Sequence, residues 1–261
     1  MADDIRPARR PRWSFWAFIG FMLVLMALFV TLGIWQVERL GEKEHLIANV
    51  ASRMTLAPEP LPPVGEWGAF DADAWNYRPV AAAGTFRPER TVLVFTSLAD
   101  QRGKFSGPGY WVMTPLELAA GGTIFVNRGF VPEESAEAFA AGGTVDPGLV
   151  SLEGIARASE EINSFTPAPD TAKRIEWVRN TERLASLAGP VPEPVAPIYI
   201  DLPALGAGTL PQGGETVVSF PNNHLGYAIT WFGFATLVPF LLFFWARRQR
   251  APRPPEIPSK P

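Results

Sequence analysis

Two stretches of 22 residues without one charged side chain constrain this chain more than any other feature. They are residues 13–34 (WSFWAFIGFMLVLMALFVTLGI) and 225–246 (LGYAITWFGFATLVPFLLFFWA). As a helix each would be roughly 33 Å long, about one hydrocarbon core. Core helices of soluble proteins rarely run that far without a charge, so both predict transmembrane helices. The first is longer than a signal-peptide apolar region, and its exit, Gly33-Ile34-Trp35-Gln36, has no small-x-small cleavage site. It is read as a retained anchor. Asp3 and Asp4 do not suit a mitochondrial transit peptide, which avoids acids.

Charge orients the spans. The segment before Trp13 carries +2, the segment after Ala246 carries +4, and everything between carries −9. Short basic flanks stay cytoplasmic, so the expected topology is N-in, C-in with an acidic extracytoplasmic region. Trp13, Trp16 and Trp245 fit an inner aromatic belt; Trp35, with Tyr227 or Trp231, fits an outer one. The expected organisation is a cytoplasmic tail 1–12, a transmembrane helix 13–35, an extracytoplasmic β-rich domain 36–223, a second transmembrane helix 224–246 and a disordered, proline-rich cytoplasmic tail 247–261. The fold class is therefore a membrane protein, α+β, with two transmembrane helices flanking an antiparallel β-rich domain. The expected location is the bacterial inner (plasma) membrane, multi-pass, with the main domain periplasmic, because no mitochondrial presequence is visible.

The outer region begins as helix. Residues 36–53 are polar and proline-free, and would continue the first span until Pro58, Pro60, Pro62 and Pro63 forbid it. Short β-rich runs follow at 78–86, 90–96, 109–118, 122–131, 149–158, 175–178, 197–202 and 215–220, separated by turn signals such as Gly107-Pro108-Gly109 and Gly121-Gly122. Their spacing predicts an antiparallel sandwich or small barrel. Short helices are expected at 133–140 and 182–188.

Composition removes several chemistries. The chain has no cysteine, hence no disulfide, iron–sulfur cluster, thiolate metal site or cysteine nucleophile. A net charge of −3 lacks the basic footprint of a nucleic-acid binder. There are two histidines, His45 and His224, and neither a nucleophile elbow nor a phosphate-binding or dinucleotide fingerprint. Nothing proposes an enzyme.

Three clusters carry more information. His224 lies in Pro221-Asn222-Asn223-His224-Leu225-Gly226-Tyr227, just before the second span. It is read either as a solvated residue at the headgroups or as a haem or metal ligand, with Trp231 two turns along the same face. At the exit of the first span Trp35, Arg39 and Lys43 follow Gly33, with the two cations on one helical face. They are read either as a clamp for haem propionates or an acidic partner, or as anchors to lipid headgroups. Asn127-Arg128-Gly129 predicts a bulge or positive φ at the glycine and a structural ion pair for Arg128.

Four motifs in order are L-G-x-W-Q-x-x-R-x-x-x-K at the first exit, Gly84-Thr85-Phe86, V-N-R-G-F-V-P at 126–132, and N-N-H-L-x-Y-A-x-T-W-F at 222–232. Together with the two spans they resemble the Surfeit locus protein 1 family from Leu32 to about Ala235. That resemblance implies an assembly factor for haem-copper oxidases, chiefly cytochrome c oxidase, assisting insertion of haem a into subunit I. It implies as partners that subunit, other assembly factors and membrane lipids, with no nucleic acid and no catalytic turnover. His224 corresponds to the histidine implicated in haem handling, and Trp35 and Arg39 to the first motif. The expected haem a site is then His224 on the iron, the apolar faces of Tyr227, Trp231 and Trp35 around it, and Arg39 at a propionate. Phe130 stands where many members have tryptophan, and Asn180, in WVRNTERL, replaces an expected acid. Two other readings stand beside this one: a haem-free scaffold for oxidase intermediates, and a tethered sensor or lipid-binding module with an apolar cavity.

Overall fold

The computed structural model describes residues 12–145, 148–216 and 222–250. Helix α1 (Arg12–Met54) runs unbroken for 43 residues through both the apolar run and its polar extension. No proline interrupts it, and it ends four residues before Pro58. There follow β1 (Glu59–Pro60), α2 (Ala72–Trp75), β2 (Pro79–Phe86), β3 (Val92–Leu98), β4 (Gly107–Leu118), β5 (Thr123–Pro132), α3 (Ala136–Phe139), β6 (Leu149–Ala158), β7 (Ile175–Glu176), α4 (Thr181–Ala188), β8 (Val195–Asp201) and α5 (His224–Arg250). The chain divides into two compact units, residues 1–47 with 219–261, and residues 48–218.

The first unit contains two helices long and apolar enough to cross a membrane. They pair antiparallel. Phe15 stacks on Trp245 and Phe29 on Trp231, with centroids 5.0 and 5.8 Å apart. Gly33 lies against Phe232 so closely that a β-carbon there would sit 2.7 Å from the ring. Met22, Ala228, Ala235 and Val238 are buried between the helices. Small residues at such a seam let the backbones approach, which is how helices gain contact where no aqueous hydrophobic effect drives them.

In the second unit a mixed sheet closes into a barrel. The strand order is β1-β2-β6-β8-β5-β4-β3-β7, and β2 also pairs with β4. The closed circuit is therefore β2, β6, β8, β5 and β4. The long β4 makes closure possible by dividing one edge, pairing with β3 over residues 107–113 and with β2 over 116–118. The expected all-antiparallel arrangement is corrected here: β5 and β8 are parallel, as are β1 with β2 and β3 with β7. The reason is that β8 returns after α4 and inserts between β5 and β6, a crossover that no hairpin can make.

Both faces of the wall are covered. Leu116, Ile124, Val126, Ile198 and Ile200 form one cluster, with Trp67 packed on it; Met113, Phe125, Phe130, Leu184 and Tyr199 form another. Gly129 has φ +128°, and a β-carbon there would lie 2.4 Å from the carbonyl oxygen of Gln212, so the backbone itself demands glycine. Arg128 makes no ion pair among the described residues, contrary to expectation. Its guanidinium donates to the carbonyls of Gly142 and Thr144, because the loop after α3 returns over β5. The run expected at 215–220 is not strand at Glu215 or Thr216, and its remainder lies outside the described residues. Glu215 instead accepts the backbone N–H groups of Arg102 and Gly103. Residues 1–11 and 251–261, most of the two expected tails, also lie outside, whereas residues 247–250 continue α5 instead of starting the disordered tail.

Candidate functional site

His224 opens α5, and the imidazole is half-buried. Its Nδ1 is 2.7 Å from Oε1 of Gln36 on α1. Gln36 is 8% exposed, a polar group taken almost completely into the helix seam. It lies one turn beyond Gly33 and two beyond Phe29, the residues that meet Phe232 and Trp231, so helix pairing itself delivers it to the histidine. Gln36 is a fixed position of the first-exit motif, but the sequence assigned it no role. The available signal was its position: a neutral polar residue continuing the Phe29–Gly33 stripe at the end of an apolar run.

The other expected site residues divide. Arg39 lies over the Trp35 ring, 5.8 Å from its centroid, and pairs with Glu42 at 2.6 Å. A propionate would have to compete with that carboxylate. Trp35 and Tyr227 are 46% and 56% exposed, which leaves apolar surface for a planar ligand. Trp231 is used otherwise than expected: it stacks on Phe29 and meets Phe234 edge-on, so it belongs to the helix seam.

Helical geometry relates the exposed residues. Trp35 is about 100° behind Gln36 on α1, and Tyr227 about 60° behind His224 on α5. Because the helices run antiparallel, those two displacements fall on the same flank of the pair. Asn222, Asn223, Gly226, Tyr227 and Thr230 line a cleft of about 370 Å³. The side-chain oxygen of Asn222 is buried without a hydrogen-bond partner among the described residues.

In the barrel, the segment around Trp177 has structural work. Arg179 bonds Glu160 through Nε and Nη2 and lies 5.4 Å from both the Trp111 and Tyr199 rings. Burial acts to raise the Glu160 carboxyl, but the charge and hydrogen bonds of Arg179 outweigh it and hold it below its usual range. Burial raises the Tyr199 phenol. Arg183 bonds the fully buried Glu176 at 2.8 Å. Asn180 caps α4, accepting from the Arg183 N–H at 3.1 Å. An amide serves as helix cap about as well as an acid, which explains how asparagine stands there.

A pair of apolar helices with a histidine–glutamine contact in their seam, and a closed, mixed β-barrel that lies between them in sequence, define the structural class of this chain. The comparisons give that class its family. The SURF1 family model matches residues 23–236. The chain is 32% identical over 251 residues to a SURF1-like protein of Monosiga brevicollis, covering 92% of this chain and 90% of that protein. It is 31% identical over 242 residues to Surfeit locus protein 1 of Homo sapiens, covering 87% and 77% respectively. Against Surfeit locus protein 1 of Mus musculus it is 31% identical over 234 residues, covering 85% and 74%. The chain belongs to the SURF1 family.

Proposed function

We propose that this chain is a membrane-anchored assembly factor for a haem-copper oxidase, holding haem a transiently and handing it to subunit I. The family is linked to cytochrome c oxidase assembly. The role proposed is non-enzymatic, binding and release without turnover. Both helices cross the membrane with the termini inside, and the barrel lies on the periplasmic face of a bacterial plasma membrane. The basic flanks around an acidic middle support that orientation. The apolar side chains that α1 and α5 turn outward, among them Phe21, Leu28, Phe240 and Phe244, support immersion in lipid.

One observation carries the haem reading. With Nδ1 of His224 occupied by Gln36, Nε2 has no hydrogen-bond partner among the described residues. A neutral imidazole with one engaged and one open nitrogen suits a single axial bond to iron. Bound haem would supply the iron centre; the protein residues orient and shield it. His224 would hold the iron, Tyr227 and Trp35 would shield the ring with their apolar faces, and Arg39, now paired with Glu42, would meet a propionate. A half-buried ligand at the helix seam allows release, as a carrier requires.

The test is the visible spectrum of the detergent-purified protein made together with haem a, wild type against His224→Ala. A Soret band lost or shifted in the folded variant supports the reading. An unchanged spectrum removes His224 from the iron. The scaffold reading draws support from the lining of the cleft of about 370 Å³, which does not include His224. It expects no haem in either protein and undiminished binding of oxidase subunits in cells that make no haem.

A further inference from the structure

We infer that Gln36 is the positioning residue for His224, fixing its tautomer so that Nε2 is the ligand atom; this rests on the proposed haem-holding role. The two imidazole nitrogens are chemically distinct, and the hydrogen bond made by one determines what the other can do. Oε1 of Gln36, 2.7 Å from Nδ1, accepts a proton held there. The lone pair is thereby left on Nε2, on the far side of the ring. Had the proton stood on Nε2, the ring would offer iron no lone pair on that side.

The acceptor is itself immobilised. Gln36 is 8% exposed, and no other side-chain partner is found for it among the described residues. A buried amide oxygen without a donor is costly, so the pair is reciprocal: each group removes the other's unsatisfied atom. The seam contacts at Gly33 and Phe29 fix the height of Gln36 on α1, and through it the ring plane of His224.

The choice of an amide is informative. Carboxylates stand nearby on the same helix, at Glu38 and Glu42, yet the residue facing His224 is neutral. A carboxylate would draw the Nδ1 proton more strongly and make the imidazole a more basic ligand. An amide orients the ring without that strengthening, which suits a ligand that must release its cargo.

The experiment uses the full chain in detergent, labelled with ¹⁵N-histidine, and His45→Ala assigns the two rings. Long-range proton–nitrogen correlation at about pH 8.5, above the ordinary histidine range, reads the tautomer without haem. Wild type is expected to carry the proton on Nδ1 of His224, and Gln36→Leu to lose that preference with near-ultraviolet dichroism retained. A proton on Nε2 in wild type overturns the inference. With haem a loaded, transfer to an apo-globin acceptor gives the second reading. Gln36→Leu is expected to lower haem affinity roughly 10–100-fold. Gln36→Glu is expected to slow release and lower the midpoint potential, an opposite effect that a merely structural contact would not produce. Haem held equally by wild type and Gln36→Leu refutes the positioning role alone. No haem on wild type, with the Nδ1 proton present, refutes the reading beneath it.

Discussion

Arg179 should matter more to the barrel than Glu160 does, although the two form one ion pair. The guanidinium receives two bonds' worth of attraction from Oε1 of Glu160, at 2.9 and 2.6 Å, and its backbone N–H meets Oε2 at 2.8 Å. It also lies 5.4 Å from two aromatic centroids, Trp111 and Tyr199. Each of those contacts is worth about 1 kcal/mol when largely desolvated. Removing the cation from a mostly buried pair adds about 3 kcal/mol, of which methionine recovers a part by packing. The net expectation for Arg179→Met is about 3 kcal/mol. Glu160 is 36% exposed, so solvent screens its share, and Gln in its place still accepts one guanidinium bond. Asp201 and both rings continue to face the cation. Glu160→Gln should therefore cost about 1 kcal/mol. Arg179→Lys should fall between, since an ammonium cannot stack on two rings and bond the carboxylate in a fork. Urea midpoints of the purified protein, followed by tryptophan fluorescence, measure all three. The carboxyl is held below its usual range in the fold, so its stabilisation is complete above the ordinary value of 4.5 and is lost as pH falls below it. That acid-side loss should be missing from Glu160→Gln. Equal costs for Arg179→Met and Glu160→Gln, or full stability in Arg179→Lys, would refute the reasoning.

Three further outcomes are expected. Tyr199→Phe removes a buried hydroxyl that has no partner among the described residues, so the urea midpoint should hold or rise, by up to about 1 kcal/mol; a clear loss would reveal an unrecognised bond. Gly33→Ala places a β-carbon 2.7 Å from the Phe232 ring and should weaken the helix pair by about 1–3 kcal/mol. Near-ultraviolet dichroism on heating should show this, and Phe232→Leu should restore it; a harmless Gly33→Ala would mean the seam yields. Asn180→Ala should cost about 1 kcal/mol through the lost cap of α4, while Asn180→Asp should cost nothing measurable in the same titration.

The two long helices were legible because lack of charge over 22 residues is a signal that needs no partner. The extension of α1 was legible for a similar reason: nothing forbids helix before Pro58. Strand β6 matches its expected limits because turn residues bound it on both sides. What failed to show was always relational. Alternation in β8 says which side chains point inward but not that the strand pairs parallel to β5. Arg128 read as an ion-pair partner because charge is visible in sequence and the returning carbonyls of Gly142 and Thr144 are not. At the candidate site, aromatic spacing assigned Trp231 to a ligand wall, yet the same spacing serves the seam with Phe29. Gln36, next to the conspicuous Trp35, acquires meaning only from the helix that faces it.

The place of β8 has a consequence for how the barrel is made. It is the last strand among the described residues, yet it sits in the middle of the wall between β5 and β6. During synthesis, β5 and β6 are complete while the edge each will offer to β8 is still open. Unpaired edges lined with buried-type residues such as Phe125 and Val126 invite wrong partners. A chain ended before residue 195 thus loses more than its second helix: it retains β2, β4, β5 and β6 with no strand to join the last two. Biogenesis of the domain waits on its final segment, and the nascent chain must be shielded from its own neighbours until that segment emerges.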